Sequence, residues 1–369
     1  MKSAEEILSA LVAARSDQAA GSTISQVLAA TMEELALSPQ VDEHGNVSAS
    51  MGEGSTLCFI AHTETAGFEG QHWTANPLGE KRDDAFFGRG AADAKGSITA
   101  MLLAAARLKE ENVPGLALAF SARGEQPLLK ADAHTLLPFL RNIQCEFAIS
   151  GEPTGLKVTV RQQGCMTLSV TTATTVRHER TGWAWTNPIE NMLAFCRLTM
   201  ERRLPSHSEL GRGSYTTIHV VAGGHDDPLP QRCKATVYRF TIPNEDETAL
   251  RREIQNLFGV LQERDPYFEA TVEFPHEPIP PMLEYEDDRH VKALLSACRE
   301  VTGKGEATRG SEPGLHGWLA ERGVNVVCFG PGDSSTAHAA DEKVKLPEVE
   351  QAAEILYRFA KGVLSGEPA

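Results

Sequence analysis

Five side chains of metal-ligating type stand in distinctive settings along this chain. His62 closes the run Leu57-Cys58-Phe59-Ile60-Ala61, and Asp93 lies between Gly88-Arg89-Gly90 and Lys95-Gly96. Glu125 follows Arg123-Gly124, Glu152 sits in Ser150-Gly151-Glu152-Pro153-Thr154, and His338 sits in Ala337-His338-Ala339-Ala340-Asp341-Glu342. Two neutral imidazoles and three carboxylates can hold a pair of zinc-like cations, with one carboxylate shared between them. Such a pair polarises a carbonyl and activates water, which is chemistry for hydrolysing an amide or an ester. Each residue also has a plainer reading. His62 could close a core strand, Asp93 could cap the helix that begins near Ser97, and the remaining residues could be loop side chains.

The elements that must position these residues are legible as periodicity. Leu57–Ala61, Leu116–Phe120, Glu146–Ser150 and Val324–Phe329 are short apolar runs of buried-strand type, each followed by polar or glycine-rich sequence. Ser97–Glu111 reads as a helix with Ile98, Met101, Leu102, Ala105 and Leu108 on one face. Residues Ala4–Leu37 read as two amphipathic helices. This alternation predicts an α/β sheet, and ligand sites in such sheets lie at the carboxyl ends of strands. The candidate ligands fall there.

From about Gly164 to Pro275 the pattern changes. Met166–Thr172, Tyr215–Ala222 and Ala235–Ile242 read as half-buried strands, and Asn187–Glu201 and Glu247–Arg264 as helices. The expectation is an α+β domain over residues 164–275, inserted into a discontinuous domain of residues 1–163 and 276–369. His276-Glu277-Pro278-Ile279-Pro280-Pro281 would be the return linker.

Composition narrows the partners. A chain of 369 residues with formal net charge −15 and no compensating basic stretch is a poor fit to nucleic acid or anionic membrane. No apolar run reaches membrane-spanning length, and a cytoplasmic protein is expected. The seven scattered cysteines include no C-x-x-C pair, which argues against a disulfide framework and a thiolate metal site. Gly88-Arg89-Gly90 lacks the third glycine and the Gly-Lys-Ser/Thr of a phosphate loop, so nucleotide binding is not expected.

These motifs resemble the family of acetylornithine deacetylases, succinyl-diaminopimelate desuccinylases, aminoacylases and related zinc carboxypeptidases, most of all its acetylornithine and acetylcitrulline deacetylase branch. The resemblance runs from His62 to Val344. It implies a zinc-peptidase-like catalytic domain of α/β class with an inserted α+β lid or dimerisation domain. It also implies two divalent metal ions, zinc first with cobalt or manganese as alternatives. His62 and Glu152 would hold one ion, Glu125 and His338 the other, and Asp93 would bridge. His178 would polarise the substrate carbonyl, Glu312 would lie in the substrate pocket, and a homodimer would form through the inserted domain. The implied activity is hydrolysis of an N-acyl amino acid or a small dipeptide-like amide.

The chain departs from that family close to the chemistry. The family has an aspartate two residues after the first histidine, where it orients the ring; here the residue is Glu64. Where the family has Asp-Glu-Glu, with the middle carboxylate as general base, this chain has Arg123-Gly124-Glu125. Glycine cannot accept a proton from the attacking water, and loss of a positioned base costs about 10²–10⁴-fold in rate. A one-residue slip would instead make Glu125 the base and leave Gln126 a poor ligand. Glu64 is the first candidate to take over proton transfer. In the inserted segment, Phe240 replaces a substrate-contacting arginine and Asp226-Asp227 an asparagine; Arg177 or Arg180 could compensate. Two alternatives follow: a metal-binding homologue turned to a non-hydrolytic reaction, and a silent binding subunit.

Overall fold

The computed structural model describes residues 2–17, 23–52, 54–124, 133–174, 176–179, 182–223, 230–284, 288–310 and 313–366. Two compact units are present, with Gln163–Pro281 forming the second and the chain on either side of it the first.

The first unit is built on a nine-stranded sheet. In spatial order its main path is Gln40–Val41, Val47–Met51, Leu116–Ser121, Leu57–His62, Phe147–Ser150, Asn325–Cys328, Val158–Gln162 and Met282–Leu283. Ala307–Arg309 pairs beside Val158–Gln162. The four strands Leu116–Ser121, Leu57–His62, Phe147–Ser150 and Asn325–Cys328 run parallel to one another. Parallel strands covered on both faces read as continuous apolar runs, and Leu57–His62 and Phe147–Ser150 are buried at every residue. Phe59, Phe120 and Phe147, from three adjacent strands, are fully buried in one core. Truncating one of them to alanine would cost about 3–5 kcal/mol.

The register of these strands places the functional loops. His62 pairs with Ser121, Ile60 with Ser150, and Ser150 with Cys328. The strands therefore end together, and the loops that follow His62, Ser121, Ser150 and Cys328 leave from one edge of the sheet. The helix Gly96–Glu110 packs against Leu346–Ser365, which also packs against Arg289–Thr302.

The second unit is a four-stranded antiparallel sheet in the order Ser214–Ala222, Arg232–Thr241, Gly164–Ala173, Ala270–Glu273. Alternating burial along Arg232–Thr241 shows one covered face. The helices Pro188–Glu201 and Glu247–Arg264 pack on this unit's strands and share a separate apolar core with them. The unit continues through Ile279 and Pro281, so the proline-rich stretch belongs to it and not to the first unit. Ile279 pairs with Cys165 through two backbone hydrogen bonds, which ties that stretch down.

Candidate metal centre

His62 ends its strand with Nδ1 at 2.9 Å from the backbone carbonyl of Glu64. A carbonyl oxygen only accepts, so Nδ1 carries a proton. Nε2 lies 3.2 Å from Asp93 Oδ1. On the other side of the same carboxylate, His338 Nε2 lies 3.4 Å from Asp93 Oδ2. Asp93 Oδ1 is buried and meets no hydrogen-bond geometry with a partner among the described residues.

Imidazole and carboxylate side chains brought this close are the donor types that divalent metal ions take, so His62, Asp93 and His338 fit such a group. His62, Asp93 and Glu152 each offer a ligand atom within 4.8 Å of the others. Burial alone would raise the Asp93 carboxyl, but the His338 and His62 rings hold it well below the usual carboxylate range.

The backbone that presents Asp93 is a single wide turn, Ala91–Lys95, closed by the Lys95 N–H on the Gly90 carbonyl at 2.9 Å. Asp93 is extended inside that turn, and the Asp93–Ala94 peptide is cis. The turn is held by Glu342, whose Oε1 accepts from the N–H groups of Ala92 and Asp93 at 3.1 Å each. Glu342 Oε2 in turn accepts from Arg89 Nη1 at 2.7 Å, and both side chains are buried. Arg89 Nη2 reaches Gln71 Oε1 at 2.6 Å and the His338 carbonyl at 3.1 Å. One guanidinium thus ties the Asp93 turn to the His338 loop. Burial and the neighbouring Asp93 push the Glu342 carboxyl up to about 7 against the opposing pull of Arg89.

Glu152 follows the end of Phe147–Ser150, and its loop is sewn to the loop after Asn325–Cys328. Thr154 Oγ1 donates to the Gly330 carbonyl at 3.2 Å and accepts from the Gly330 N–H at 3.1 Å. The Gly155 N–H donates to the Gly332 carbonyl at 2.8 Å. Ser150 Oγ lies 3.4 Å from Glu152 Oε1. A cleft of about 670 Å³ opens on Asp93 and Glu152 and extends past Thr159, Gln162, Thr308 and Arg309.

Glu64 differs from the expectation in one respect. Its backbone carbonyl is the group that fixes the His62 ring. Its buried carboxylate accepts from the Gly124 N–H at 3.2 Å and faces Arg123 Nη1 at 3.3 Å. Gly124 has φ +139°, and a Cβ there would lie 2.9 Å from His62 Cβ. The position is therefore shaped for glycine and not only lacking a carboxylate.

Of the other expected site residues, Glu125 and Glu312 lie outside the described residues. The backbone of His178 belongs to the hairpin Val176–Glu179 with Gly182–Trp185, in the second unit. Sequence reasoning passed over three residues at the centre: Arg89, Glu342 and His316. His316 lies 3.8 Å from Glu152 Oε1 through Nδ1 and is 2% exposed. Burial, and then the nearby His62, hold its imidazole down to about 4. The one available signal was Glu342, an acidic residue four positions after His338 in a chain already rich in motif.

The model of Peptidase family M20/M25/M40 matches residues 58–362. A succinyl-diaminopimelate desuccinylase of Ehrlichia ruminantium (strain Gardel) is 26% identical over 336 residues, covering 84% of this chain and 82% of that protein. Among solved structures, an M20 family metallo-carboxypeptidase from Sulfolobus solfataricus superposes with a TM-score of 0.78 at 16% identity, covering 98% of this chain and 99% of that one. A dinuclear metal-binding peptidase of Bacillus subtilis gives a TM-score of 0.69 at 13% identity, covering 98% of each chain.

Proposed function

The chain belongs to Peptidase family M20/M25/M40, a family of metal-dependent amide hydrolases, and on that premise we propose that it cleaves an N-acyl amino acid or a small dipeptide-like amide using two zinc ions. The observation that carries the reading is the buried Asp93 carboxylate set between Nε2 of His62 and Nε2 of His338. His62 and Glu152 would hold one ion, His338 and Glu125 the other, and Asp93 would serve both. When bound, the metal pair supplies a polarised carbonyl and an activated water.

The chain's own side chains do the rest. Glu64 keeps a carboxylate at the turn where relatives have the base, and it is our candidate for proton acceptance. His178 is the candidate donor to the oxyanion, and Glu312 the candidate substrate contact. The cleft beside Glu152 combines Lys157 and Arg309 with Thr159, Gln162 and Thr308. That lining suits a small polar substrate better than an apolar one.

The test is turnover of a panel of N-acetyl and N-succinyl amino acids and dipeptides by protein of measured zinc content. Turnover of roughly 1 per second or faster, lost in H62A and D93N together with the metal, is the expected result. Full metal occupancy without turnover would refute hydrolysis. It would favour the second reading, a metal-binding homologue with altered chemistry, which the glycine-shaped position 124 supports.

A homodimer through the second unit is part of the same proposal. The edge strand Ser214–Ala222 leaves Ile218, Val220 and Val221 exposed, and the helix Pro188–Glu201 exposes Leu193 and Met200. Unpaired apolar strand edges of this kind favour pairing with a second copy. Light scattering should give twice the monomer mass, falling to the monomer in V220D/L193D. A monomeric native protein would rule this out.

A further inference from the structure

His316 is a buried polar side chain with no evident purpose in the fold. It sits in the short helix Leu315–Glu321, and neither of its ring nitrogens has a hydrogen-bond partner among the described residues. A neutral imidazole carries one N–H and one lone pair, and leaving such a group buried and unpaired costs about 1–3 kcal/mol. Native structures seldom carry that cost without a reason. An apolar side chain would fill the same place at no such cost.

The surroundings of the ring indicate what it serves. Nδ1 lies 3.8 Å from Glu152 Oε1, longer than a hydrogen bond. A Cβ built on Gly314 would lie 3.1 Å from Nδ1, 2.9 Å from Cε1 and 3.6 Å from Glu152 Oε1. Gly314 therefore keeps open the lane between the ring and the carboxylate, which any larger residue would fill. Ser150 Oγ also lies near Glu152 Oε1, at 3.4 Å. A carboxylate that ligates a metal is normally held in turn by a donor, and losing that donor typically costs 10–100-fold in metal affinity.

We propose that His316 is a positioning residue of the metal centre, donating Nδ1–H to the Glu152 carboxylate and fixing the orientation in which Glu152 ligates. This rests on the metal reading of the site given above. The ring does not need to touch substrate or ion. Its contribution is to remove rotational freedom from Glu152, and its own buried N–H gains its partner when Glu152 takes up the ligating orientation.

The experiment uses the full chain stripped of metal, with H316L, H316N and H316Q beside the native protein. Zinc affinity is measured for each equivalent by competition with a chromophoric chelator, and thermal melting of the metal-free proteins is measured in parallel. Asparagine places a donor near the Nδ1 position and glutamine near Nε2. H316L and H316Q should weaken one of the two equivalents by about 10–100-fold and leave the other unchanged, while H316N stays within about threefold of native. Metal-free H316L should melt at or above the native temperature, because an unpaired buried polar ring has been replaced by an apolar one. If H316L is insoluble, the contrast between H316N and H316Q decides the question.

Native affinity for both equivalents in H316L and H316Q would overturn the proposal. So would equal losses in H316N and H316Q, or a loss of both equivalents that tracks a lower melting temperature, which is the mark of a packing role. Failure of the native protein itself to take up metal would overturn the metal reading and this inference with it.

Discussion

Replacing Glu342 with glutamine should destabilise the metal-free protein and weaken its metal binding at once. Glu342 and Arg89 are 1% and 3% exposed by side chain and lie 2.7 Å apart. Glutamine is nearly isosteric and can still accept from the Ala92 and Asp93 N–H groups, so the packing is preserved. In mildly alkaline buffer, above the raised Glu342 carboxyl, what it removes is the negative charge facing a guanidinium that cannot shed its proton. Breaking a buried ion pair from one side costs about 3–5 kcal/mol. For a unit of this size that corresponds to a melting temperature lower by about 6–20 °C. The same change loosens the tie between the Asp93 turn and the His338 carbonyl, so zinc affinity should fall by about 10–100-fold. Calorimetry of chelator-treated protein and a zinc titration read the two effects. The double variant R89M/E342Q, which keeps the acceptor for both N–H groups and strands no charge, should melt above E342Q. An E342Q melting temperature within about 2 °C of native, or a double variant that melts below it, would refute the argument that this ion pair holds the site together.

Three further outcomes follow from single positions. G124A should lose about 1–3 kcal/mol, from a φ that side chains other than glycine rarely adopt and from the 2.9 Å approach to His62 Cβ; an unchanged denaturation midpoint would contradict this. For the same reason G124E should not gain hydrolytic activity, and a tenfold or larger gain would show that the turn accepts a carboxylate after all. Burial pushes the half-buried Glu284 carboxyl up to about 7, against the pull of the Val326 N–H. The folded state therefore holds this proton more tightly than the unfolded chain does. The stability contributed is complete below about pH 4.5 and is lost as pH rises through 7. E284Q should flatten the pH dependence of stability over that window, and an unaltered slope in urea titrations would exclude Glu284 as its source.

The sheet and its edge were readable because they depend on local pattern. Runs such as Leu57–Ala61 and Leu116–Phe120 are continuous and apolar, and a buried parallel strand needs nothing else to be recognised. His62, Asp93 and Glu152, which come within reach of one another, stood out as candidates because each follows such a run or a glycine-rich turn, where a sheet of this class builds its ligand sites. The change of pattern near Gly164 was equally local, whereas the end of the second unit at Pro281 was not. The pairing of Ile279 with Cys165 that fixes it joins segments far apart in sequence.

Glu64 marks where sequence reasoning stopped. Its identity said that a carboxylate replaces the family's aspartate, but the carbonyl on the His62 ring and the carboxylate on the Gly124 amide depend on the path of the backbone. His316 was one histidine among twelve, and nothing in Leu315-His316-Gly317 announces a partner at Glu152. Arg89 was seen only as part of a glycine-flanked motif. The sequence by itself determined the fold class, the family and the chemical kind of the site, because apolar periodicity and donor types are properties of short segments. Only the tertiary structure decided which donors face each other across Asp93 and which buried charges and rings hold them there, because those contacts join residues that meet only once the parallel strands are in register.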